Sequence, residues 1–142
     1  MTAALSGRSK IAFQELAADL KTAENHMIFA SQFIDNIGDV VLSRRCGDAA
    51  YHLAVVVDDA AQNITHVARG ADLLSATPIH ALLQHLLNYP TPIYHHHALI
   101  RDANGKRLAK RDDAKAIAKF RDEGASPDDI RVMVGLLPRS KL

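Results

Sequence analysis

Cysteine occurs once in this chain, at Cys46, so neither an internal disulfide nor a multi-cysteine zinc site can form, and a reducing cytoplasm is the expected compartment. Cys46 is read as a bystander. No apolar run approaches the roughly 18 residues that a membrane helix requires, and only a few apolar residues precede Arg8 and Lys10, so neither a membrane span nor a signal peptide is expected. Glycine-rich phosphate cradles, nucleophile elbows and zinc-protease motifs are also missing, which removes those enzyme classes. Internal repeats and low-complexity tracts are absent. Excess charge of one sign is lacking too: the formal net charge of +1 argues against a uniformly basic nucleic-acid binder.

What is present fits a globular α/β domain. The 142 residues, 48% hydrophobic and 23% charged, suffice for one domain, or a piece of a larger one, with a sizeable core. Cationic residues are nevertheless clustered, eight of the 17 Lys and Arg falling between Arg101 and Arg121. Local electrostatics can therefore matter where net charge does not.

The organising stretch is Tyr51 to Leu74, YHLAVVVDDAAQNITHVARGADLL. The apolar run Leu53 to Val57 predicts a buried strand that halts at Asp58 and Asp59, and Ile64 to Val67 predicts a second strand ending on Arg69-Gly70. In an open parallel sheet, working side chains collect past the carboxyl ends of the strands, so both would feed one site. Upstream, Ile11, Phe13, Leu16 and Leu20 suit a helix over 9–22, while Ile11 and Phe13 alone suit a short strand; Val40-Val41-Leu42 predicts a strand beside 51–57. Downstream, Thr77 as cap and Pro78 as first residue open a helix whose stripe is Ile79, Leu82, Leu83, Leu86 and Leu87, stopped at Asn88-Tyr89-Pro90. A strand over 94–100, an Asn104-Gly105 turn and the basic loop Lys106 to Arg111 follow. Helices at 114–122 and 127–135 close the chain, the last with Ser126 as cap and Asp128-Asp129 in its first turn. Alternating elements of this kind favour an α/β sheet.

Several residues could carry chemistry. The loop holding Lys106, Arg107, Lys110 and Arg111 could surround a triphosphate, or be an ordinary solvated turn. Arg69 could clamp a carboxylate with its planar fork, or pair with Asp72 on the surface. Asp58 and Asp59 point apart if extended, so a shared metal or acid–base site is disfavoured against capping. His95-His96-His97 offers at most two ligands on one strand face, with no local Cys or Glu to complete a set, so no metal site is expected.

Taken together, GDVVLSRR (38–45), YHLAVVVDDAAQNITHVARGADLLSATPIH (51–80), PTPIYHHHALI and NGKRLAKRDDA (104–114) resemble the second half of the class I glutamyl-tRNA synthetase catalytic domain. Among its members they are most similar to the short paralogues, the glutamyl-queuosine tRNA(Asp) synthetases. The resemblance implies a partial Rossmann-like α/β domain, its mostly parallel sheet flanked by helices and followed by short C-terminal helices. Three segments are expected: 1–37, divergent; 38–112, the catalytic core with its signature loop; and 113–142, helical. Arg107-Leu108-Ala109-Lys110-Arg111 occupies the place of the KMSKS signature, implying that Lys110 binds ATP. Tyr51 and Arg69 occupy positions where the family contacts glutamate. The loop keeps cationic charge but lacks the signature's hydroxyls.

The implied activity is an ATP-dependent ligase: glutamate, ATP with Mg2+, and transfer to tRNA, with queuosine of tRNA(Asp) as acceptor. The HIGH signature and cysteine-based zinc site of the family's first half are not found before Gly38. The chain is therefore expected to be a C-terminal half, produced by gene decay, a split gene or a misplaced start, inactive alone and with a separately encoded N-terminal half as a potential partner. Two alternatives stand beside this: a non-catalytic remnant or split-enzyme subunit that binds nucleotide or tRNA, and a piece of a true glutamyl-tRNA synthetase.

Overall fold

The computed structural model describes residues 10–101, 105 and 116–136, and the chain divides into two compact units, Met1–Ala98 and Leu99–Leu142. In the first unit β1 (Lys10–Leu16) and β2 (Ala23–Phe29) form a hairpin, with Lys10 opposite Phe29 and Leu16 opposite Ala23. Asp19 ties its turn: one carboxylate oxygen accepts from the amides of Lys21 and Thr22, and the other from the Thr22 hydroxyl. Here the strand alternative prevails over the helix. Ile11 and Phe13, two apart, are buried, whereas Leu20 lies in the turn and is exposed.

After α1 (Ala30–Asn36) the chain crosses 38–50 without forming a strand. Val41 is 69% exposed, and the only pairing there is a bridge between Ser43 and Ala49 around a turn in which Gly47 takes φ +92°. The strand expected at Val40–Leu42 is thus corrected, for want of a face to bury. A larger correction follows: Leu53–Val57 lies inside the helix α2 (Tyr51–Ala61). A run of five apolar residues fits either element, and burial decides, since only Val56 is fully buried while Val57 is exposed. Asp58 and Asp59 therefore end a helix, not a strand.

The second expected strand exists, shifted to β3 (His66–Gly70), with Arg69 inside it. A 3₁₀ turn, Ala71–Ala76, leads to α3 (Thr77–Leu87), and β4 (Ile93–His97) returns; this strand is shorter than expected. Pro78 sits at the start of α3 as anticipated, but the cap position is Ala76, and the Thr77 side chain serves elsewhere. Asn88 ends the helix in the left-handed conformation at φ 56°, ψ 40°.

The sheet order is β2-β1-β4-β3: the hairpin is antiparallel, and the β1–β4 and β4–β3 pairs are parallel. Ile11, Phe13, Phe33, Ala81, Leu82 and Tyr94 make the core on the face covered by helices, with Ile11, Phe13, Phe33 and Leu82 contributing roughly 1.5–3 kcal/mol each. Ala12, Gln14, Ala68 and His97 alternate onto the open face and are exposed.

In the second unit α4 (Ile117–Asp122) and α5 (Pro127–Met133) appear. Ser126 caps α5 as expected: its hydroxyl accepts from the Asp129 amide at 3.2 Å, and the Asp129 carboxylate accepts in return from the Ser126 amide at 2.8 Å. Gly105 takes φ +76°, as the Asn104-Gly105 turn requires, but the rest of that turn lies outside the described residues.

Candidate functional site

One step of two residues along each strand turns the covered face from apolar to polar. Phe13 gives way to Glu15 on β1, Tyr94 to His96 on β4, and Val67 to Arg69 on β3; Arg69 and His96 are direct partners across the parallel ladder. With His26 on β2, the side chains form a row crossing the whole sheet in spatial order. His26 Nε2 is 3.4 Å from Glu15 Oε2, Glu15 Oε1 is 2.8 Å from His96 Nδ1, and Arg69 Nε donates to His96 Nε2 at 3.0 Å. The row lies toward the carboxyl ends of the parallel strands, where this class of sheet places its ligands.

Helix α3 supplies the opposite wall. Its residues Thr77, His80, Ala81 and Gln84 recur at helical spacing and are buried, so three of the four inward positions are polar. Arg69 Nη2 donates to Thr77 Oγ1 at 2.7 Å, and Arg69 Nη1 lies 2.9 Å from His80 Nδ1. The Arg69 guanidinium carbon stands 4.9 Å from the centre of the Tyr94 ring, whose hydroxyl accepts from Gln84 Nε2 at 3.0 Å.

Because arginine can only donate, these contacts fix the histidine tautomers. His96 accepts through Nε2 and carries its proton on Nδ1, facing Glu15. His80 accepts through Nδ1 and offers Nε2–H to His52 Nδ1, 3.0 Å away. Burial first, then Arg69 and His52, lowers the His80 pKa from 6.5 to about 4, so at neutral pH this wall bears no charge. Burial raises the Asp59 pKa, Arg69 opposes that rise, and Asp58 adds to it.

The two glutamate-contact positions expected from sequence come together here. Tyr51, at the start of α2 and 50% exposed, sits with its ring centre 5.8 Å from that of His80, which in turn contacts Arg69. Arg107, Leu108, Ala109, Lys110 and Arg111 lie outside the described residues. The histidine triplet separates as strand geometry requires: His96 joins the row, His95 Nδ1 is 3.2 Å from the Leu16 carbonyl oxygen, and His97 is exposed. Among the described residues no group of three or more His, Cys, Asp or Glu is arranged to hold a metal ion.

Glu15, Thr77, His80 and Tyr94 were not anticipated as members of the site. For the α3 residues the signal was present, as a polar stripe at i, i+3 and i+7; Glu15 stood out only once the register of β1 and β4 was known.

The comparisons with known proteins agree with this architecture. The catalytic domain of class I tRNA synthetases (E and Q) matches residues 15–140. The chain belongs to that family. The Glutamyl-Q tRNA(Asp) synthetase of Rhodobacter capsulatus is 60% identical over 111 residues, covering 78% of this chain and 40% of that protein. A Glutamate–tRNA ligase of Prochlorococcus marinus is 48% identical over 96 residues, covering 64% of this chain and 20% of that protein. In fold, the chain is similar to the crystal structure of a glutamate tRNA ligase from Elizabethkingia meningosepticum, in complex with its amino acid: the TM-score is 0.66 at 24% identity, over 91% of this chain and 28% of the other. The chain thus spans less than half the length of these relatives. Four strands with helices on one face form a partial Rossmann-like domain of the class I type. The family match reaches back to Glu15, upstream of the Gly38 at which the motif resemblance begins.

Proposed function

We propose that this chain forms one wall of a site that activates glutamate with ATP and transfers it to tRNA, with queuosine of tRNA(Asp) as acceptor. The observation that carries this reading is the state of Arg69. Its guanidinium is half-buried, its three described partners are uncharged side chains, and no carboxylate lies within ion-pair distance among the described residues. Of the five N–H groups that arginine bears, three are used here, leaving one on each terminal nitrogen. A carboxylate is the group that such a pair fits.

In this reading Arg69 holds a carboxylate of glutamate and Tyr51 lies against the substrate. Lys110, in a cationic segment with Arg107, Leu108, Ala109 and Arg111, binds the phosphates of ATP and offsets the charge that develops there. Magnesium would arrive with the triphosphate as its usual companion. The 60% identity to a Glutamyl-Q tRNA(Asp) synthetase supports queuosine as acceptor over the tRNA 3′ end.

In-line attack needs ATP and glutamate held together between two walls. Glutamate-dependent pyrophosphate exchange tests the proposal. The chain alone is expected to give little or none, and a mixture with a separately supplied N-terminal half of the Rhodobacter relative is expected to give exchange that Lys110→Ala and Arg69→Ala abolish. Exchange by the mixture that survives both substitutions would overturn the assignment. Salt-dependent tRNA binding without exchange would instead favour a non-catalytic binding subunit, to which the eight cations between Arg101 and Arg121 are suited.

A further inference from the structure

Glu15 is one imidazole removed from Arg69, and the geometry gives it a task. The His96 side chain is 2% exposed, and its Nδ1–H points at Glu15 Oε1, 2.8 Å away. On its other side, Nε2 receives the Arg69 Nε–H at 3.0 Å and lies 3.1 Å from Thr77 Oγ1. Removing the Glu15 carboxylate leaves a buried N–H without its acceptor. The ring can regain a partner only by turning, and turning takes Nε2 away from Arg69.

We propose that Glu15 is a positioning residue for the Arg69 guanidinium, acting through His96, whose ring it holds with Nε2 facing the arginine. The functional consequence rests on reading Arg69 as the carboxylate-binding group; the positioning itself does not. On the far side His26, its ring stacked on Phe13 at 5.0 Å, places Nε2 3.4 Å from the other carboxylate oxygen without hydrogen-bonding to it. The row converts the fixed spacing of four strands into a fixed direction for one guanidinium, with one N–H on each terminal nitrogen left over for a ligand.

Nuclear magnetic resonance of the 15N-labelled chain tests this by two readouts: the His96 tautomer from long-range imidazole correlations, and the hydrogen-exchange rate of Arg69 Nε–H. The wild type is expected to carry the His96 proton on Nδ1. Glu15→Ala should speed Arg69 Nε–H exchange by about tenfold, the factor that losing one buried hydrogen-bond partner represents. Glu15→Gln keeps an oxygen that accepts the Nδ1 proton and should stay within about threefold of the wild type. The proposal is overturned by a His96 proton on Nε2, by unchanged exchange in Glu15→Ala with the backbone spectrum of β1 and β4 intact, or by Glu15→Gln showing the roughly tenfold faster exchange expected of Glu15→Ala. If Glu15→Ala does not fold, the wild-type tautomer and Glu15→Gln still decide. Adding glutamate separates the two readings: an Arg69 that does not respond removes the carboxylate assignment, while the positioning role stands or falls on the exchange rates.

Discussion

The two ends of the covered sheet face are built from the same three strands and are held by different forces. At one end Ile11, Phe13, Val67 and Tyr94 pack against Phe33, Ala81 and Leu82. Two residues further along each strand, Glu15, His96 and Arg69 are joined by hydrogen bonds instead. Tyr94 belongs to both ends: its ring meets Phe13 edge-on at 6.0 Å and stacks on His96 at 6.2 Å. Apolar packing tolerates small shifts, whereas a donor–acceptor row does not, so the first end anchors the fold and the second transmits that order to Arg69.

The comparison predicts effects of different kinds and sizes. The largest belongs to the apolar end: Phe13→Ala should cost about 3–5 kcal/mol in urea-monitored unfolding, and a loss under about 1 kcal/mol would mean that this end is not the anchor. At the polar end, Arg69→Lys should weaken glutamate binding by about tenfold or more with little change in unfolding, because an ammonium cannot reproduce the fork. Equal losses of stability and binding would erase the distinction between the ends.

Acid gives a smaller effect. His80 takes up a proton at pH 6.5 when unfolded but only near pH 4 when folded, so its contribution to stability is intact above 6.5 and is lost as pH falls toward 4. Unfolding measured across that window should show the decline, and His80→Gln should flatten it; an unchanged slope in the variant would contradict a neutral, buried His80. Smallest is the open face, where Gln14→Ala, removing an exposed 3.2 Å bond to Asn25, should change stability by no more than about 0.5 kcal/mol and leave Arg69 untouched.

Much of this was legible in the sequence, for identifiable reasons. Pro78, Asn88, Ser126 and Asp128-Asp129 act locally, through fixed φ, a left-handed cap or a helix dipole, and the elements they delimit are where they should be. Arg69 by itself fitted either a carboxylate clamp or a surface pair with Asp72, and it was the resemblance to the synthetase family that singled it out. The α2 helix was missed because Leu53 to Val57 carries no period; which face is buried there is settled by contact with α3, which sequence alone does not display. The row was missed for a related reason. Glu15 and His96 are 81 positions apart, and only the parallel register of β1 and β4 makes them neighbours.

The most direct test follows the Arg69 side-chain signals while glutamate is added to the chain. A saturable change at Arg69, lost in Arg69→Lys, is the predicted result. Signals that stay fixed through the titration, or a lysine variant that binds glutamate as tightly as the wild type, would contradict the account.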